Sequence, residues 1–565
     1  MNPLPEKLSP LTRADAVRLL PLGGLGEIGM NMMALECQGQ WLIIDCGLMF
    51  PEAYMMGIDL VLPDVSALDD HADRILGLIL THGHEDHIGA VPFLLQRLGN
   101  PPIYATGLTL GLLSNKLEEH DLQSRARLHQ VRPRQEVTLG PFRIEFFRSA
   151  HSIVDGVGLA IRTPAGLIVH TGDFKIDQTP VDNQPTDLTR LAAYGDEGVL
   201  LLLSDSTNVE RRGYTLSERE VGRALADILP RCRGLVAVAT FSSNIHRIQQ
   251  VIDVAMACGR KVLINGRSME KNAAVARELG YLRVPDEVLI DLREMRHLPR
   301  DRVVVVTTGS QGEPLSVLSR MAMADYKPIP LEQGDTVILS SRSIPGNEKA
   351  IARLINLLYR QGAEVFYQET SEVHVSGHAS QEELKLIFSL TRPRFFVPVH
   401  GEYRHLVKHA QLATLMGVEK GRAVVLENGT PLVVLPDGLY KEDRVESGRV
   451  FVDGKGVGDV GEMQLRDRRH LANHGLVMVL MGIEQTSGTI LYGPELFTRG
   501  FVPEETSGEL LDQARQEVRN LLREHSLEAV SDWEEMQVEV RKTLRRFFNR
   551  HIDRRPLILP VVFEQ

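Results

Sequence analysis

Aromatic side chains make up only 5% of the 565 residues, which excludes a broad stacking surface for flat ligands. Cysteine is scarcer still. Cys37, Cys46, Cys232 and Cys258 form no CxxC pair and cannot frame a chain of this length with disulfides. Long apolar runs are missing: stretches such as 475–483 and 303–306 fall far short of the roughly 20 residues that span a bilayer. The first twenty residues carry Glu6, Lys7, Arg13, Asp15 and Arg18 and no apolar stretch of signal-peptide type, so a cytoplasmic location and no membrane partner are expected. A basic excess is absent too. Lys+Arg number 63 against 74 Asp+Glu, a formal net charge of −11. Nucleic-acid-binding domains are usually basic, so the balance by itself argues against such a partner.

What is present is a globular chain. Hydrophobic residues reach 43%, which excludes disorder. The length predicts about three or four folded units. Segment 1–216 reads as short strands (18–22, 33–36, 41–45, 75–81, 143–149 and 167–171) between Gly, Pro and Asp turns, with helical periodicity at 89–98 and 107–117. Segment 217–372 alternates strands and helices, the pattern of a parallel sheet with covering helices. Ser217-x-x-Glu220 has the spacing of a capping box at its start. Segment 373–440 returns to strands, with a β pair read across 424–435, so one domain is interrupted by an inserted α/β domain. A connector, 441–470, contains the Gly-rich run 453–459. Segment 471–565 reads as strands near 475–483 and 488–491, helices near 508–525 and 528–550, and a last strand at 557–563.

The densest chemistry lies in Ile79-Leu-Thr-His82-Gly-His84-Glu-Asp86-His87-Ile-Gly89, at the exit of an apolar strand. Imidazole and carboxylate are ligands for Zn²⁺ or Mn²⁺. A loop leaving a strand can aim alternate side chains at different metals, His82 and His84 toward one and Asp86 and His87 toward another. Asp45, His151, Asp173 and His400 also follow apolar strands and precede small or turn residues. Taken singly, Asp45 and Asp173 read as turn formers and His400 as a hydrogen-bonded core histidine. Taken together they suggest strand ends assembled along one sheet edge.

HxHxDH, followed by His151 and Asp173, resembles the metallo-β-lactamase superfamily. Asp205 in Leu203-Ser-Asp-Ser-Thr-Asn, His378 in His374-Val-Ser-Gly-His-Ala-Ser and His400 in Val399-His-Gly-Glu resemble the three motifs of its β-CASP subgroup. With Gly23-Gly-Leu-Gly-Glu-Ile-Gly, Thr308-Gly-Ser-Gln-Gly-Glu-Pro314 and Asp453-Gly-Lys-Gly-Val-Gly-Asp, the chain is similar to the bacterial ribonuclease J family over most of its length up to about 460, Met30 standing where the family often has Lys.

The resemblance implies an α/β (α+β) protein. It would have a four-layer αββα metallo-β-lactamase domain (1–216 and 373–440), an inserted β-CASP domain (217–372) and a small C-terminal α/β domain (471–565) serving oligomerisation. It implies two divalent ions, Zn²⁺, Mn²⁺ or both. His82, His84 and His151 would hold one, Asp86, His87 and His400 the other, with Asp173 bridging and Asp45 orienting a ligand histidine. Candidate catalytic residues are His378 as general acid, Asp205 as its partner, and Asp86. Ser380-x-x-Glu383 is a second capping-box pattern, so 374–378 precedes a helix N-terminus, a favourable seat for phosphate. His374, Val375, Ser376, Gly377 and His378 are accordingly assigned to substrate contact. Gly309, Ser310 and Gly312 read either as a tight turn or, by the resemblance, as a pocket for a 5′-monophosphate.

The implied activity is 5′→3′ exonuclease and endonuclease action on single-stranded, 5′-monophosphorylated RNA, leaving 5′-phosphates, in RNA processing and decay. A homodimer or homotetramer and RNA-degradation proteins are the implied partners. Alternatives are a superfamily hydrolase of small esters or thioesters and a non-catalytic RNA-binding scaffold. Two other signals are set aside. Gly24-x-Gly26-x-x-Gly29 matches a dinucleotide fingerprint, but no helix is expected after it. Arg541 to Arg546 reads as the solvated basic face of an amphipathic helix.

Overall fold

Apolar runs cut by Gly and Asp turns pair because each strand can bury at least one face while the turn reverses the chain. In the computed structural model, which describes residues 13–313, 315–343, 347–484, 490–503, 508–524 and 533–564, Val17–Gly23, Met32–Cys37 and Gln40–Ile44 pair antiparallel. They sit at the centre of an eight-stranded sheet in the order Leu439–Lys441, Leu432–Val434, Val17–Gly23, Met32–Cys37, Gln40–Ile44, Ile75–Ile79, Ile103–Ala105, Leu128–Gln130. A six-stranded sheet runs Phe395–Val399, Val199–Asp205, Gly166–His170, Val157–Thr163, Phe142–Arg148, Glu136–Leu139. Leu19, Leu35 and Leu42 from the first sheet and Phe146, Leu159 and Leu201 from the second share one core cluster. The helices Leu188–Glu197, Gln381–Thr391 and Tyr403–Leu415 cover the other face of the second sheet through Leu191, Tyr194, Leu384, Phe388 and Leu412. The result is the four-layer αββα architecture.

The strand directions matter for function. Ile75–Ile79 runs parallel to Gln40–Ile44, and Gly166–His170, Val199–Asp205 and Phe395–Val399 are mutually parallel. Asp45, His82, Asp173, Asp205 and His400 therefore all lie at C-terminal strand ends.

The inserted region forms a wholly parallel five-stranded sheet, Lys261–Asn265, Val303–Thr307, Val236–Ala239, Thr336–Leu339, Glu364–Phe366. Its central strands are buried along their length, as their continuous apolar sequence requires. Residues 13–50 and 60–450 belong to one compact unit.

The second unit comprises 51–59 and 451 onward. Its sheet runs Ile490–Arg499, Leu476–Ile483, Leu557–Glu564, with the helices Gly508–Glu524 and Trp533–Ile552. Val479, Leu496, Val518, Val540 and Phe548 form its core. Residues 488–489, 525 and 528–532 of the expected elements lie outside the described residues. The second strand extends well past 491 because Gly493 and Pro494 break the sequence pattern without ending the ladder, which keeps Leu480 opposite Glu495.

Several expectations differ from the structure. The periodicity at 89–98 resolves into the one-turn helices Glu85–Ile88 and Val91–Leu94. The β pair read across 424–435 is instead Leu432–Val434 against Leu439–Lys441. Upstream of it, Asn428 accepts the Leu25 amide and donates to Glu27, so that segment serves the Gly-rich loop. The Ser217 capping box does not form: the Ser217 hydroxyl donates to Asp177 (3.0 Å) and Glu220 pairs with Arg223. The Ser380 box does form, with the Ser380 amide donating to Glu383 (2.8 Å). The stretch 441–470 holds the strands Arg449–Asp453 and Gly456–Val457 and the start of the helix Glu462–His474. That helix buries only Leu465, so its sequence has almost no apolar stripe to read.

Candidate metal centre

The local geometry begins with strain. Asp45 and His400, both just past strand ends, have φ of 59° and 54°. The left-handed region costs a non-glycine residue about 1–2 kcal/mol, so the surrounding bonds must hold these backbones in place. Asp45 does this through Thr81, whose amide (2.8 Å) and hydroxyl (2.9 Å) donate to its carboxylate. The Asp45 carboxylate then accepts His87 Nδ1–H at 2.8 Å.

Three groups of ligand-type atoms converge: His82 with His84 and His151; Asp86 and His87 with Asp173 and His400; and Asp173 with Asp205, His378 and His400. Asp173 is the hub. Its carboxylate lies 3.3 Å from His87 Nε2, 3.5 Å from His400 Nδ1, 3.7 Å from His82 Nε2, 3.8 Å from His151 Nε2 and 3.9 Å from His378 Nδ1. In the first group, His84 Nδ1 stands 3.0 Å from His82 Nε2 and 3.2 Å from His151 Nε2. The first two groups match the two sets expected from the sequence. The third was not anticipated as a cluster.

The outer hydrogen bonds show why these residues suit cations. His151 Nδ1–H donates to the Gly377 carbonyl (2.7 Å), His87 Nδ1–H to Asp45, and His82 Nδ1–H to the Thr81 hydroxyl (3.0 Å), which itself donates to Asp45. Each bond turns Nε2 toward the cluster and, for His82 and His151, fixes the neutral tautomer. Bare, three imidazoles packed nitrogen to nitrogen repel. A divalent ion among them satisfies every inward lone pair, so the donor set fits the implied metals.

Charge tunes the groups in opposite directions. Burial and the neighbouring His87 hold His82 well below the usual histidine range, and burial takes His84 to about 4. Burial would also lower His87 and His400, but the Asp173 carboxylate beside both overrides it and raises them well above that range. Asp173 stays ionised against its burial because His400 and His87 surround it. His378 Nδ1 lies 2.8 Å from Asp205, and this carboxylate raises His378 against the effect of burial.

The loop 374–378 is held from several sides. Asn208 donates to the His378 carbonyl (2.9 Å) and to Ser376 Oγ (2.8 Å), and Thr215 donates to the same carbonyl (2.8 Å). Gly377 runs so close to His151 that a Cβ there would lie 2.7 Å from its ring, so only glycine fits. Val375 is 5% exposed and faces the core, whereas His374, Ser376 and His378 keep some exposure. Both crossings between the first and inserted regions meet at Arg247. This side chain is fully buried and donates to Glu218 (2.6 Å), the Ser340 carbonyl (2.9 Å) and the Val373 carbonyl (3.2 Å).

Gly309 and Gly312 take positive φ (107° and 74°). Ser310 is buried and its carbonyl accepts the Ser341 hydroxyl (3.3 Å), while Gln311 donates to Ser341 and to the Arg342 carbonyl. The turn is tight, and none of its residues joins the ligand clusters; Pro314 lies outside the described residues. Gly24 to Gly29 leads into a strand and not a helix, and Leu25–Gly26 pairs with Gly401–Glu402 beside His400. The basic segment 541–546 lies on the helix Trp533–Ile552, which buries Phe547 and Phe548.

Sequence reasoning assigned no site role to Asn31, Thr81, Thr207, Asn208 or Arg247, and read Glu383 only as a capping residue. Asn31 Nδ2 lies 3.1 Å from His87 Nε2 and donates to the Asp86 carbonyl. The Thr207 hydroxyl accepts His400 Nδ1–H (2.7 Å) and donates to Asp205 (2.7 Å). The Glu383 carboxylate accepts the amides of Ile176, Thr215 and Ser380. Thr81, Thr207 and Asn208 stand inside the motifs and were legible there. Nothing in the sequence marked Asn31 or Arg247.

Four family models match successive parts of the chain. They are the metallo-beta-lactamase superfamily (27–204), the ribonuclease J beta-CASP domain (233–358), the Zn-dependent metallo-hydrolase RNA specificity domain (367–425) and the ribonuclease J C-terminal domain (463–565). Ribonuclease J of Thermus thermophilus is 46% identical over 97% of this chain and 96% of its own. Ribonuclease J2 of Bacillus subtilis is 40% identical over 97% of this chain and 99% of its own. A crystal structure of a protein of unknown function from Enterococcus faecalis shares the fold at a TM-score of 0.52 and 16% identity, covering 74% of this chain and all of that one. With relatives alike from end to end and family models covering both the site and the C-terminal unit, this chain is a hydrolase that belongs to the ribonuclease J family.

Proposed function

We propose that the protein is a two-metal ribonuclease that cleaves single-stranded RNA, both from 5′-monophosphorylated ends in the 5′→3′ direction and internally, leaving 5′-phosphate products. The observation that carries this reading is the His378–Asp205 pair sharing Asp173 and His400 with the metal-type cluster. Hydrolysis of small activated esters has no need of such a second acid beside the metals. His82, His84 and His151 would hold one divalent ion, and Asp86, His87 and His400 the other, with Asp173 between them and Asp45 orienting His87. Bound there, Zn²⁺ or Mn²⁺ supplies a water of lowered pKa and stabilises charge on the phosphoryl oxygens.

The protein's own groups do the rest. Asp205 keeps His378 protonated and aimed, so its free Nε2–H can donate to the leaving 3′-oxygen. His374, Ser376 and Gly377 contact the strand ahead of the helix Gln381–Thr391, whose dipole favours a phosphate there; its first amides are already taken, Gln381 by the Arg211 carbonyl (2.9 Å) and Glu382 by that of Gly213 (3.1 Å). The 309–312 turn, with Gly309, Ser310 and Gly312, would receive the 5′-phosphate through the Gly309 and Ser310 amides, since those of Gln311 and Gly312 already donate to Glu313 (3.1 Å) and to the Gly309 carbonyl (3.2 Å). The test is 5′-monophosphorylated RNA with Mn²⁺ or Zn²⁺. Release of mononucleotides or internal cuts with 5′-phosphate ends is expected, and neither product would end the proposal.

The C-terminal unit would serve self-association. Phe497, Leu559 and Phe563 on its sheet are 39–50% exposed. Ultracentrifugation of the whole chain against one ending near Gly461 would read this, since an unchanged assembly removes that role. No helix among the described residues is long and apolar enough to cross a membrane.

A further inference from the structure

The helix Glu348–Arg360 carries an outward stripe that the site does not use. Lys349, Arg353, Asn356 and Arg360 fall at i, i+4, i+7 and i+11, which places them on one face over about 16 Å. All four are exposed, with Ala352 beside them, so this face of the helix is open to solvent. Like charges at i, i+4 repel, so such a stripe is normally offset by acids. Several exposed arginines elsewhere are offset in this way, Arg97 by Asp69, Arg134 by Asp187, Arg392 by Asp196 and Arg404 by Glu210, while others such as Arg233 and Arg267 stand unpaired among the described residues but not in a stripe along one helix face. Lys349, Arg353 and Arg360 have no ion-pair partner among the described residues. Unoffset cations spaced along a helix face are complementary to a polyanion.

The stripe's place narrows the ligand. A Cβ on Gly312 would lie 2.8 Å from the Ala350 backbone, so the first turn of this helix packs directly on the 309–312 turn. Gln311 and Ser310 join that turn to Ser341, and Ser340 joins Val373 at the head of the 373–378 loop (2.7 Å). The order from the metal cluster outward is thus loop, turn, basic helix. We propose that the Lys349–Arg353–Arg360 stripe is a binding surface for the backbone of RNA that extends 5′ past the 309–312 turn. This rests on the ribonuclease reading. A strand whose 5′ end stops at the turn does not reach the stripe, whereas a strand cut internally lies along it.

The test uses the full chain with Mn²⁺ and the R353E/R360E variant, both changes lying on an exposed helix face. A short 5′-monophosphorylated oligonucleotide of about five residues is the substrate, and a long 5′-hydroxyl RNA is the competitor. The variant should turn over the short substrate with unchanged kcat and KM. The Ki of the long RNA should rise roughly tenfold, and its salt slope should shallow by about 1.4, as two lost phosphate contacts on a single strand predict. R353Q/R360Q should move Ki in the same direction by a smaller factor, which separates lost attraction from added repulsion. An unchanged Ki and slope overturns the proposal and leaves the stripe to an acidic protein partner. Equal losses on short and long RNA also overturn it, by locating the effect in the turn. If the wild type cleaves no RNA, the ribonuclease reading fails; anisotropy of the long RNA with metal withheld still reads the stripe, and equal affinity in both proteins overturns it.

Discussion

The two units of this protein solve folding with opposite chemistry. In residues 13–50 and 60–450 the buried set includes Asp45, His82, His87, His151, Asp173, Asp205, Arg247 and His400. In the C-terminal unit, every side chain counted as buried among the described residues is apolar. Buried charges are costly unless paired. The first unit offsets that cost only through a closed network in which each carboxylate faces imidazoles, amides or a guanidinium. The C-terminal unit needs no such network, because Val479, Val518, Val540 and Phe548 lose only water on burial. A cluster of buried ligand-type charges therefore carries its instability with it, whereas the apolar unit carries none of that cost.

The largest break in this contrast should come at the hub. Asp173→Ala leaves five facing imidazoles without their shared carboxylate. RNA turnover should fall by at least about a thousandfold, with metal content by mass spectrometry dropping alongside. Retained turnover would remove Asp173 from the centre. His378→Ala should cost roughly 10²–10⁴ in kcat while metal content stays constant, since general acid catalysis is what it removes. Loss of metal in that variant would make His378 a ligand instead.

Asp45→Asn should weaken metal affinity by about 10- to 100-fold with the fold intact, by loosening His87. The same network predicts a pH dependence. Before metal binds, His87 and His400 sit raised beside Asp173 and hold protons near neutrality. Binding must release those protons, so affinity should climb with pH up to and through their raised range and fall as pH drops. Calorimetry in buffers of different ionisation enthalpy would show the release, and its absence would mean that neutral imidazoles face the cluster. The smallest effect on chemistry should come from the other unit. Phe548→Ala should destabilise the C-terminal unit by about 3–5 kcal/mol in hydrogen exchange while leaving turnover of a short RNA unchanged. Lost turnover would show that the two units are not independent.

The ligand residues were legible in the sequence because each follows a strongly apolar strand, and a parallel strand places its C-terminal end, with whatever polar residue comes next, at the same edge as its neighbours. Asp45, His82, Asp173 and His400 were read that way, whereas Asp205 entered through the family resemblance. The five-stranded parallel sheet was legible for a related reason: strands such as Val303–Thr307, apolar on both faces, can only be interior. The helix Glu462–His474 was not legible, since one buried leucine gives no period. The Ser217 box failed because a tertiary partner, Asp177, took its hydroxyl.

Composition suggested no polyanion partner, and the net charge was uninformative because it sums over the surface while binding depends on where cations stand without acids. The sequence by itself determined the chemistry available: which ligand types exist and at which strand ends they fall. Only the tertiary structure decided that Asp173 is shared by two clusters, that Asn31, Thr207 and Arg247 hold the site in place, and that Lys349, Arg353 and Arg360 form an unoffset stripe. Those relations join residues tens to hundreds of positions apart or depend on which acids are absent nearby, and neither is encoded in local spacing.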